Sequence, residues 1–562
     1  MESRTKPLFA MLHFGVTNMK SVRKIVVVGG VAGGASAAAR ARRVDEHAEI
    51  HIFERGPYVS FANCGLPYHI AGEIQDRSSL LIMTPEKLWA RARIHVHLHH
   101  DVVSISPATR TIRVRHDGVE EDVSYDQLIL SPGAKPIVPP LPGVDRANVF
   151  TLRDVPDMDR ILSFLEERKP QTAAVIGGGF IGLEMAEAFH RRGLRVTVIE
   201  KFPHILPLLD ADMATYLQNS IHSENFTLLT NAEAKSFGER HVELTDGTTI
   251  PADLILMSVG VRAEVELARD AGLDIGTTGG IRVNARMESS IPGIYAVGDA
   301  AETTHRVTGA RIRIPLAGPA NRQGRIAGTN AAGGHQLYRG ALGTSIVRVL
   351  HMTAGVTGLN SAQASAAGLS FFTSVTMDSS HASYYPHAKP VRIKLVAEEG
   401  TGRLLGAQVI GEDGVDKRTD TLATAIAAGM TIFDLEDLDL AYSPPFGSAN
   451  DPVNTAGCVA AHMARGEVNT ISPEGWKPNG ELLLDVRDDS EVATTGSLGN
   501  AMHIPLAELR DRLAELPRDR RIVTYCQKGQ RGYLAACILK GHGFDVANLS
   551  GGFAHARLCG IR

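Results

Sequence analysis

The sequence predicts an α/β protein of several domains, and three observations carry that reading. Two apolar strands, Lys24–Val28 and Ala173–Ile176, each run into a glycine-rich turn and then a helix. Strand–helix alternation returns near the C-terminal end, between Leu482 and Leu539. The chain has 562 residues, 56 of them glycine and 44% hydrophobic. That length suffices for about three or four domains.

The first unit opens at Lys24. Its strand enters Gly29-Gly30-Val31-Ala32-Gly33-Gly34, an Ala- and Arg-rich helix follows over Ala35–Arg43, and a second strand, His51–Phe53, ends at Glu54. Glycines such as Gly29 and Gly34 let the backbone approach a pyrophosphate. The helix N-terminus offers partial positive charge, and an acid about 25 residues on suits a ribose hydroxyl. The turn departs from G-x-G-x-x-G at its second glycine position, where Val31 stands. The second unit matches fully, with Gly177, Gly179 and Gly182, a helix to Arg192 and a strand ending at Glu200. An acid there accepts from a free 2′-hydroxyl and repels a 2′-phosphate. NADH is therefore expected over NADPH, with Lys201 beside the acid as the opposing feature. Two such Rossmann-like units in one chain, roughly 150 residues apart, imply one bound flavin and one nicotinamide carrier.

Between the units lies a strand-rich stretch with a turn at Leu130-Ser131-Pro132-Gly133. After the second comes Gly293-Ile294-Tyr295-Ala296-Val297-Gly298-Asp299. Residues from about 344 to 462 form a further α+β region. Pro, Gly and polar residues then cluster over Arg465–Gly480, a linker composition. Beyond it, Leu482–Val486, Ala507–Leu516, Ile522–Tyr525 and Tyr533–Leu539 alternate as strand and helix. Residues 1–21 form a poor signal peptide and are expected to be a disordered leader or a consequence of start-site choice.

A net charge of −4 gives no reason to expect a nucleic-acid partner. No apolar run reaches the ~18–20 residues of a membrane span. Five widely spaced cysteines, Cys64, Cys458, Cys526, Cys537 and Cys559, do not form a disulfide framework. A reducing compartment, the cytoplasm, is expected. Cys537, inside Ala535-Ala536-Cys537-Ile538-Leu539, reads as core, and Cys458 and Cys559 carry no motif.

Cys64, in Ser60-Phe61-Ala62-Asn63-Cys64-Gly65-Leu66-Pro67-Tyr68, has no second cysteine nearby. A lone redox cysteine completes its cycle with a sulfur or oxygen from outside the chain. It forms a mixed disulfide with a small thiol, a persulfide or a sulfenic acid.

With Cys64 and both glycine turns, residues from about 22 to 462 resemble the pyridine nucleotide–disulfide oxidoreductase family. The Ser-Phe-Ala-Asn-Cys motif is similar to the branch of coenzyme A–disulfide reductases, NADH oxidases and NADH peroxidases. The resemblance implies FAD on residues 22–150 and 269–343, NAD(P)H on 151–268, and a homodimer built on an α+β dimerisation domain at 344–462. It also implies a contact from Asp299 to the flavin's ribityl chain. Ala382-Ser383-Tyr384-Tyr385-Pro386 and Ala441-Tyr442-Ser443-Pro444-Pro445 resemble two tyrosine motifs that reach the cysteine site from the partner subunit. The roles fall to Tyr384 and Tyr442, with Tyr385 the competitor for the first. A tyrosine hydroxyl there could donate to a leaving thiolate or stabilise the Cys64 sulfur. The family's coenzyme A contacts fall on Ser36, Arg40, Arg43, Ser60 and Asn63. Arginine suits phosphate through bidentate hydrogen bonds. Arg40 and Arg43 equally suit a solvated helix face, and Asn450 stands where this branch often has lysine.

Cys526-Gln527-Lys528-Gly529-Gln530-Arg531 follows a strand and precedes a helix, a loop whose N–H groups can hold an anionic persulfide. With Asp485-Val486-Arg487, His503-Ile504-Pro505 and Leu549-Ser550-Gly551-Gly552, it makes residues 472–562, after a linker at 463–471, resemble a rhodanese (sulfurtransferase) domain. Lys528 and Arg531 are expected to shape that loop electrostatically.

The expected activity is NAD(P)H-driven, FAD-dependent reduction of a small-molecule persulfide, polysulfide or coenzyme A disulfide through Cys64, with sulfane-sulfur transfer at Cys526. Two alternatives stand beside it. One is a coenzyme A–disulfide reductase proper. The other is an NADH oxidase or peroxidase cycling Cys64 through sulfenic acid. A sulfur-carrier or redox-sensing scaffold without turnover is the non-enzymatic reading.

Overall fold

A computed structural model describes residues 22–221 and 225–562 of the chain. The expected leader, residues 1–21, lies outside the described residues. Lys24–Val28, a β-branched run with four of its five residues buried, is the middle strand of a parallel five-stranded sheet. Its order is Ile294–Ala296, Gln127–Leu130, Lys24–Val28, Glu49–Glu54, Ile94–Leu98. The following helix, Ala32–Val44, lies against a second helix, Ala317–Ala331, at a distance only small residues allow. A Cβ on Gly324 would sit 2.2 Å from the Gly33 carbonyl oxygen, and one on Gly328 2.2 Å from that of Ala37. Asp299 is carried on a short turn between this sheet and that second helix.

The second unit repeats the plan. Thr172–Ile176 is fully buried in a parallel sheet ordered Phe226–Leu229, Arg195–Ile199, Thr172–Ile176, Leu254–Met257, Val149–Phe150. The region after residue 344 is an antiparallel five-stranded sheet ordered Ser345–Val349, Met352–Gly358, Leu404–Gly411, Pro390–Glu398, Phe371–Ser379. The helices Val415–Ala428 and Pro452–Ala464 pack against it.

The C-terminal domain is a parallel sheet ordered Asn469–Ile471, Val546–Leu549, Ile522–Tyr525, Leu482–Asp485, Met502–His503. Three readings of this region change. The segment expected as a linker at 463–471 contributes its last three residues, Asn469–Ile471, as a strand of that sheet, and the half-buried Trp476 packs against the domain's core. Ala507–Leu516 is turns ending in a short 3-10 element, Leu513–Glu515, whereas Asp489–Thr495 is a helix whose start is capped by Asp488 and Glu491. Cys537 faces solvent, because the helix Gln530–Gly541 turns Ala535, Ala536 and Leu539 inward instead. Among the described residues no helix is long and apolar enough to cross a membrane.

Candidate active site

One cleft of about 1210 Å³ runs between the two parallel-sheet units. Gly29, Glu54 and Asp299 line it from the first unit, and Gly177, Gly179 and Glu200 from the second. Asn63, Cys64 and Tyr68 lie along the same wall system. Thus the fold brings both glycine turns, both strand-end acids and the lone cysteine into a single space.

The two turns are built alike at their first and last glycines. Gly29 (φ +89°) and Gly177 (φ +108°) occupy left-handed backbone, and a Cβ on either would lie within 2.3 Å of a carbonyl oxygen, that of Ser131 or Ser258. Gly34 and Gly182 face the carbonyl oxygens of Gly29 and Gly177, at 1.9 and 2.0 Å from an added Cβ. Gly179 differs: a Cβ there would meet nothing within 4 Å, and the position opens on the cleft. This is what a backbone needs if an elongated phosphate ligand is to lie against it. Val31 holds the matching place in the first turn.

Glu54 accepts hydrogen bonds from the Gly30 and Gly56 N–H groups at 2.8 and 2.9 Å. Glu200 accepts from the Gly178 and Phe202 N–H groups at 2.7 and 2.8 Å. Each acid therefore ties its turn to its own strand end while keeping lone pairs for a ribose hydroxyl. Lys201 is drawn away to Glu233, 2.7 Å distant.

Cys64 sits in a one-turn 3-10 element, Asn63–Gly65, directly before the helix Leu66–Ile70. The chain reaches it through Ser60, held at φ +49° by its N–H bond to the Gly30 carbonyl oxygen at 2.9 Å. The cysteine is thus registered against the first glycine turn. Its thiol is exposed to the cleft, and desolvation together with the carboxylates of Glu184 and Asp299 pushes it up. Glu184 accepts a hydrogen bond from the Tyr68 hydroxyl at 3.2 Å, and burial raises its carboxyl to about 7. Sequence reasoning did not single out Glu184 or Tyr68. The signal was present in the i, i+4 spacing of Glu184 from Phe180 on the helix after the second turn and in the Tyr that closes the cysteine motif, but only the domain packing joins them.

The C-terminal loop has its own construction. Cys526 is 2% exposed, and the Gly529 N–H donates to its sulfur at 3.2 Å, with Gly529 at φ +107°. Lys528 stands exposed at the rim. Arg531 is held by Asp488 at 3.1 Å and Glu491 at 2.7 Å, and its guanidinium also interacts electrostatically with the Cys526 sulfur.

Comparisons with known proteins agree with this layout. The pyridine nucleotide-disulphide oxidoreductase model matches residues 23–324, its dimerisation domain 344–451, and the rhodanese-like domain 472–556. The chain belongs to the pyridine nucleotide-disulphide oxidoreductase family. It is similar to the reduced Bacillus anthracis CoADR-RHD (44% identity, TM-score 0.94, covering 96% of this chain and 98% of that one). It is also similar to the NAD-dependent persulfide reductase from A. fulgidus (38%, 0.90, 95% and 99%). The NAD(P)H coenzyme A polysulfide/persulfide reductase of Pyrococcus horikoshii is 36% identical over 439 residues, 78% of this chain and 97% of that protein.

Membership in this oxidoreductase family implies FAD and NAD(P)H, and the residues present fit them: two glycine turns, each with a ribose-side acid, facing one cleft. The remaining expected contacts lie on the paired helices. Ser36 donates to Asn321 at 2.7 Å, Arg40 to Thr329 at 2.9 Å, and the exposed Arg43 only to the Ala39 carbonyl at 3.1 Å. Neither helix carries an acidic residue. Asn321, Arg325 and Thr329 form one i, i+4 row facing Ser36 and Arg40, and sequence reasoning missed them because they lie about 285 residues away. Tyr384 and Tyr442 join hydroxyl to hydroxyl at 2.9 Å on the dimerisation domain, both strongly exposed, and neither lines the cleft of its own chain. Tyr385 instead packs edge-on against His381.

Proposed function

We propose that this oxidoreductase reduces small-molecule persulfides and polysulfides with NADH, and that its C-terminal domain transfers sulfane sulfur. One observation carries the reading: a single cysteine shares one cleft with two glycine turns, in a chain that also folds Cys526 into a loop whose Gly529 N–H donates to its sulfur. Gly29, Gly34, Glu54 and Asp299 would hold FAD, and Gly177, Gly179, Gly182 and Glu200 the nicotinamide carrier. When bound, the pair supplies two electrons from the nicotinamide to the cysteine. The engagement of Lys201 by Glu233 leaves Glu200 as the deciding charge, which favours NADH.

The Cys64 thiolate attacks the inner sulfur of R–S–SH. A Cys64–S–S–R bond forms, the S–SH bond breaks, and HS⁻ leaves. Two electrons and a proton then return Cys64 to thiolate and release RSH. Asn63, beside the sulfur, and the Tyr68–Glu184 pair surround the exchange. Tyr384 and Tyr442, exposed on the dimerisation domain, would serve the partner's Cys64 in a homodimer. The acid-free helix face with Ser36, Arg40 and Arg43 supports a coenzyme A carrier for R. That face equally favours coenzyme A disulfide as substrate. Cys526 would accept or deliver sulfane sulfur as its own persulfide, with Lys528 at the loop rim.

Anaerobic NADH oxidation with coenzyme A persulfide, coenzyme A disulfide, peroxide or no acceptor decides among these. Sulfide release at a rate matching NADH loss supports the proposal. Turnover only with the disulfide makes the enzyme a coenzyme A–disulfide reductase, and turnover with peroxide alone, or with O₂ alone in a parallel aerated assay, makes it a peroxidase or oxidase. In Cys64→Ser, reductase activity is lost while thiosulfate–cyanide sulfurtransfer survives. Loss of both overturns the two-site division.

A further inference from the structure

Three domains meet on a cluster of charges that the chemistry above does not use. Lys394, fully buried on the dimerisation-domain sheet, contacts Asp210 and Asp212 at 2.9 Å and Glu474 at 2.8 Å. Asp210 and Asp212 open the helix Ala211–Ser220 of the nicotinamide unit, and Glu474 belongs to the C-terminal region. Beside them His555, 1% exposed, places its Nε2 3.2 Å from an Asp212 carboxylate oxygen and its Nδ1 3.0 Å from the Arg392 guanidinium. Cys559 lies 3.9 Å from the same Nε2. Arginine only donates, so Nδ1 accepts, and the proton sits on Nε2, the nitrogen 3.2 Å from the Asp212 carboxylate. The imidazole is therefore neutral and fixed in orientation by two residues of the reductase body.

His555 also lies one residue beyond the support of the Cys526 loop. In the helix Gly552–Leu558, the Phe553 N–H donates to the Cys526 carbonyl at 2.8 Å and the Ala554 N–H to that of Gln527 at 3.2 Å. Gly552 approaches so closely that a Cβ there would fall 2.3 Å from the Cys526 carbonyl oxygen. These bonds turn both loop carbonyls outward from the sulfur, which leaves the loop N–H groups free to face it.

We propose that His555 is a positioning residue for the sulfurtransferase loop, and that Asp212 and Arg392, which belong to the reductase, hold it in place. The competence of Cys526 then depends on a residue of the nicotinamide unit that touches neither reacting centre. This rests on the reading of Cys526 as the sulfurtransferase nucleophile. It also means that the reductase body is part of the sulfurtransferase.

The test uses the full-length, FAD-loaded protein. Asp212→Asn keeps the side-chain shape and removes the charge, His555→Gln keeps a donor toward Asp212, and His555→Leu removes both ring nitrogens. Thiosulfate–cyanide turnover is measured together with the rate of iodoacetamide alkylation of Cys526, followed by peptide mass across pH. In Asp212→Asn and His555→Leu the expected results are a kcat at least fivefold lower and an alkylation midpoint moved to higher pH. FAD content and NADH-driven reduction stay unchanged, the thermal melt falls through loss of a buried charge partner but stays well above the assay temperature, and His555→Gln lies between these and wild type. Sulfurtransfer and alkylation profiles both unchanged in well-folded Asp212→Asn overturn the inference. If His555→Leu does not fold, Asp212→Asn decides alone. A wild type without sulfurtransferase activity would overturn the reading of Cys526, and the alkylation profiles would still decide the role of His555.

Discussion

Gly179→Ala separates cofactor binding from folding more cleanly than any other change in the second turn. Its backbone is extended (φ −80°, ψ −174°), so alanine adopts it without strain. An added Cβ would meet no protein atom within 4 Å. Stability is therefore expected to hold, or to rise by up to about 1 kcal/mol through the stiffer unfolded chain. The methyl group would instead occupy the space where the second glycine of a dinucleotide turn lets a pyrophosphate approach. Placing a methyl in a filled contact costs about 1–3 kcal/mol. At about 1.4 kcal/mol per factor of ten, that weakens NADH binding about 5- to 150-fold. The assay is the KM for NADH together with stopped-flow flavin reduction, with FAD content and thermal melt as controls. NADH affinity within twofold of wild type, in a folded flavoprotein, would refute the placement of the nicotinamide carrier on this turn. Gly182→Ala is the contrasting control, since its Cβ would lie 2.0 Å from the Gly177 carbonyl oxygen and disturb the turn itself.

Other expectations concern charge and assembly. Glu184, raised to about 7, is charged above that pH and disfavours the Cys64 thiolate, so Glu184→Gln should speed Cys64 alkylation several-fold at about pH 8 and leave it unchanged at about pH 6, where the wild-type group is already neutral. An equal ratio at both pH values refutes that coupling. Lys394→Met leaves the buried Asp210 and Asp212, and the partly exposed Glu474, without their cation and should cost about 3–5 kcal/mol in urea unfolding; a loss below about 1 kcal/mol would mean the carboxylates find water or protons at little cost. If Tyr384 and Tyr442 serve the partner's Cys64, co-expressing Cys64→Ser with the Tyr384→Phe/Tyr442→Phe chain should restore about a quarter of wild-type activity, because half the dimers are mixed and each has one complete site. No recovery in verified mixed dimers argues for tyrosines acting within one chain.

The sequence by itself determined the two parallel units and the glycine turn that each carries. Strand, glycine turn, helix and strand-end acid are local features, and hydrogen bonds of Glu54 and Glu200 to their own turns follow from that local order. It also marked Cys64 and Cys526, since a lone cysteine in a motif is legible without contacts. Local composition misjudged the C-terminal region. Asn469–Ile471 and Trp476 read as linker because pairing with Val546–Leu549 is non-local, and the face of Cys537 depends on how its helix rolls against the sheet. Only the tertiary structure placed Glu184 and Tyr68 beside Cys64, set Asn321 and Thr329 opposite Ser36 and Arg40, and drew Arg531 to Asp488 and Glu491. It alone brought Asp212, Lys394 and His555 together from three domains. A glycine turn is dictated by backbone sterics within a few residues, whereas a buried charge is stable only beside a partner, and which partner arrives depends on how separate domains pack.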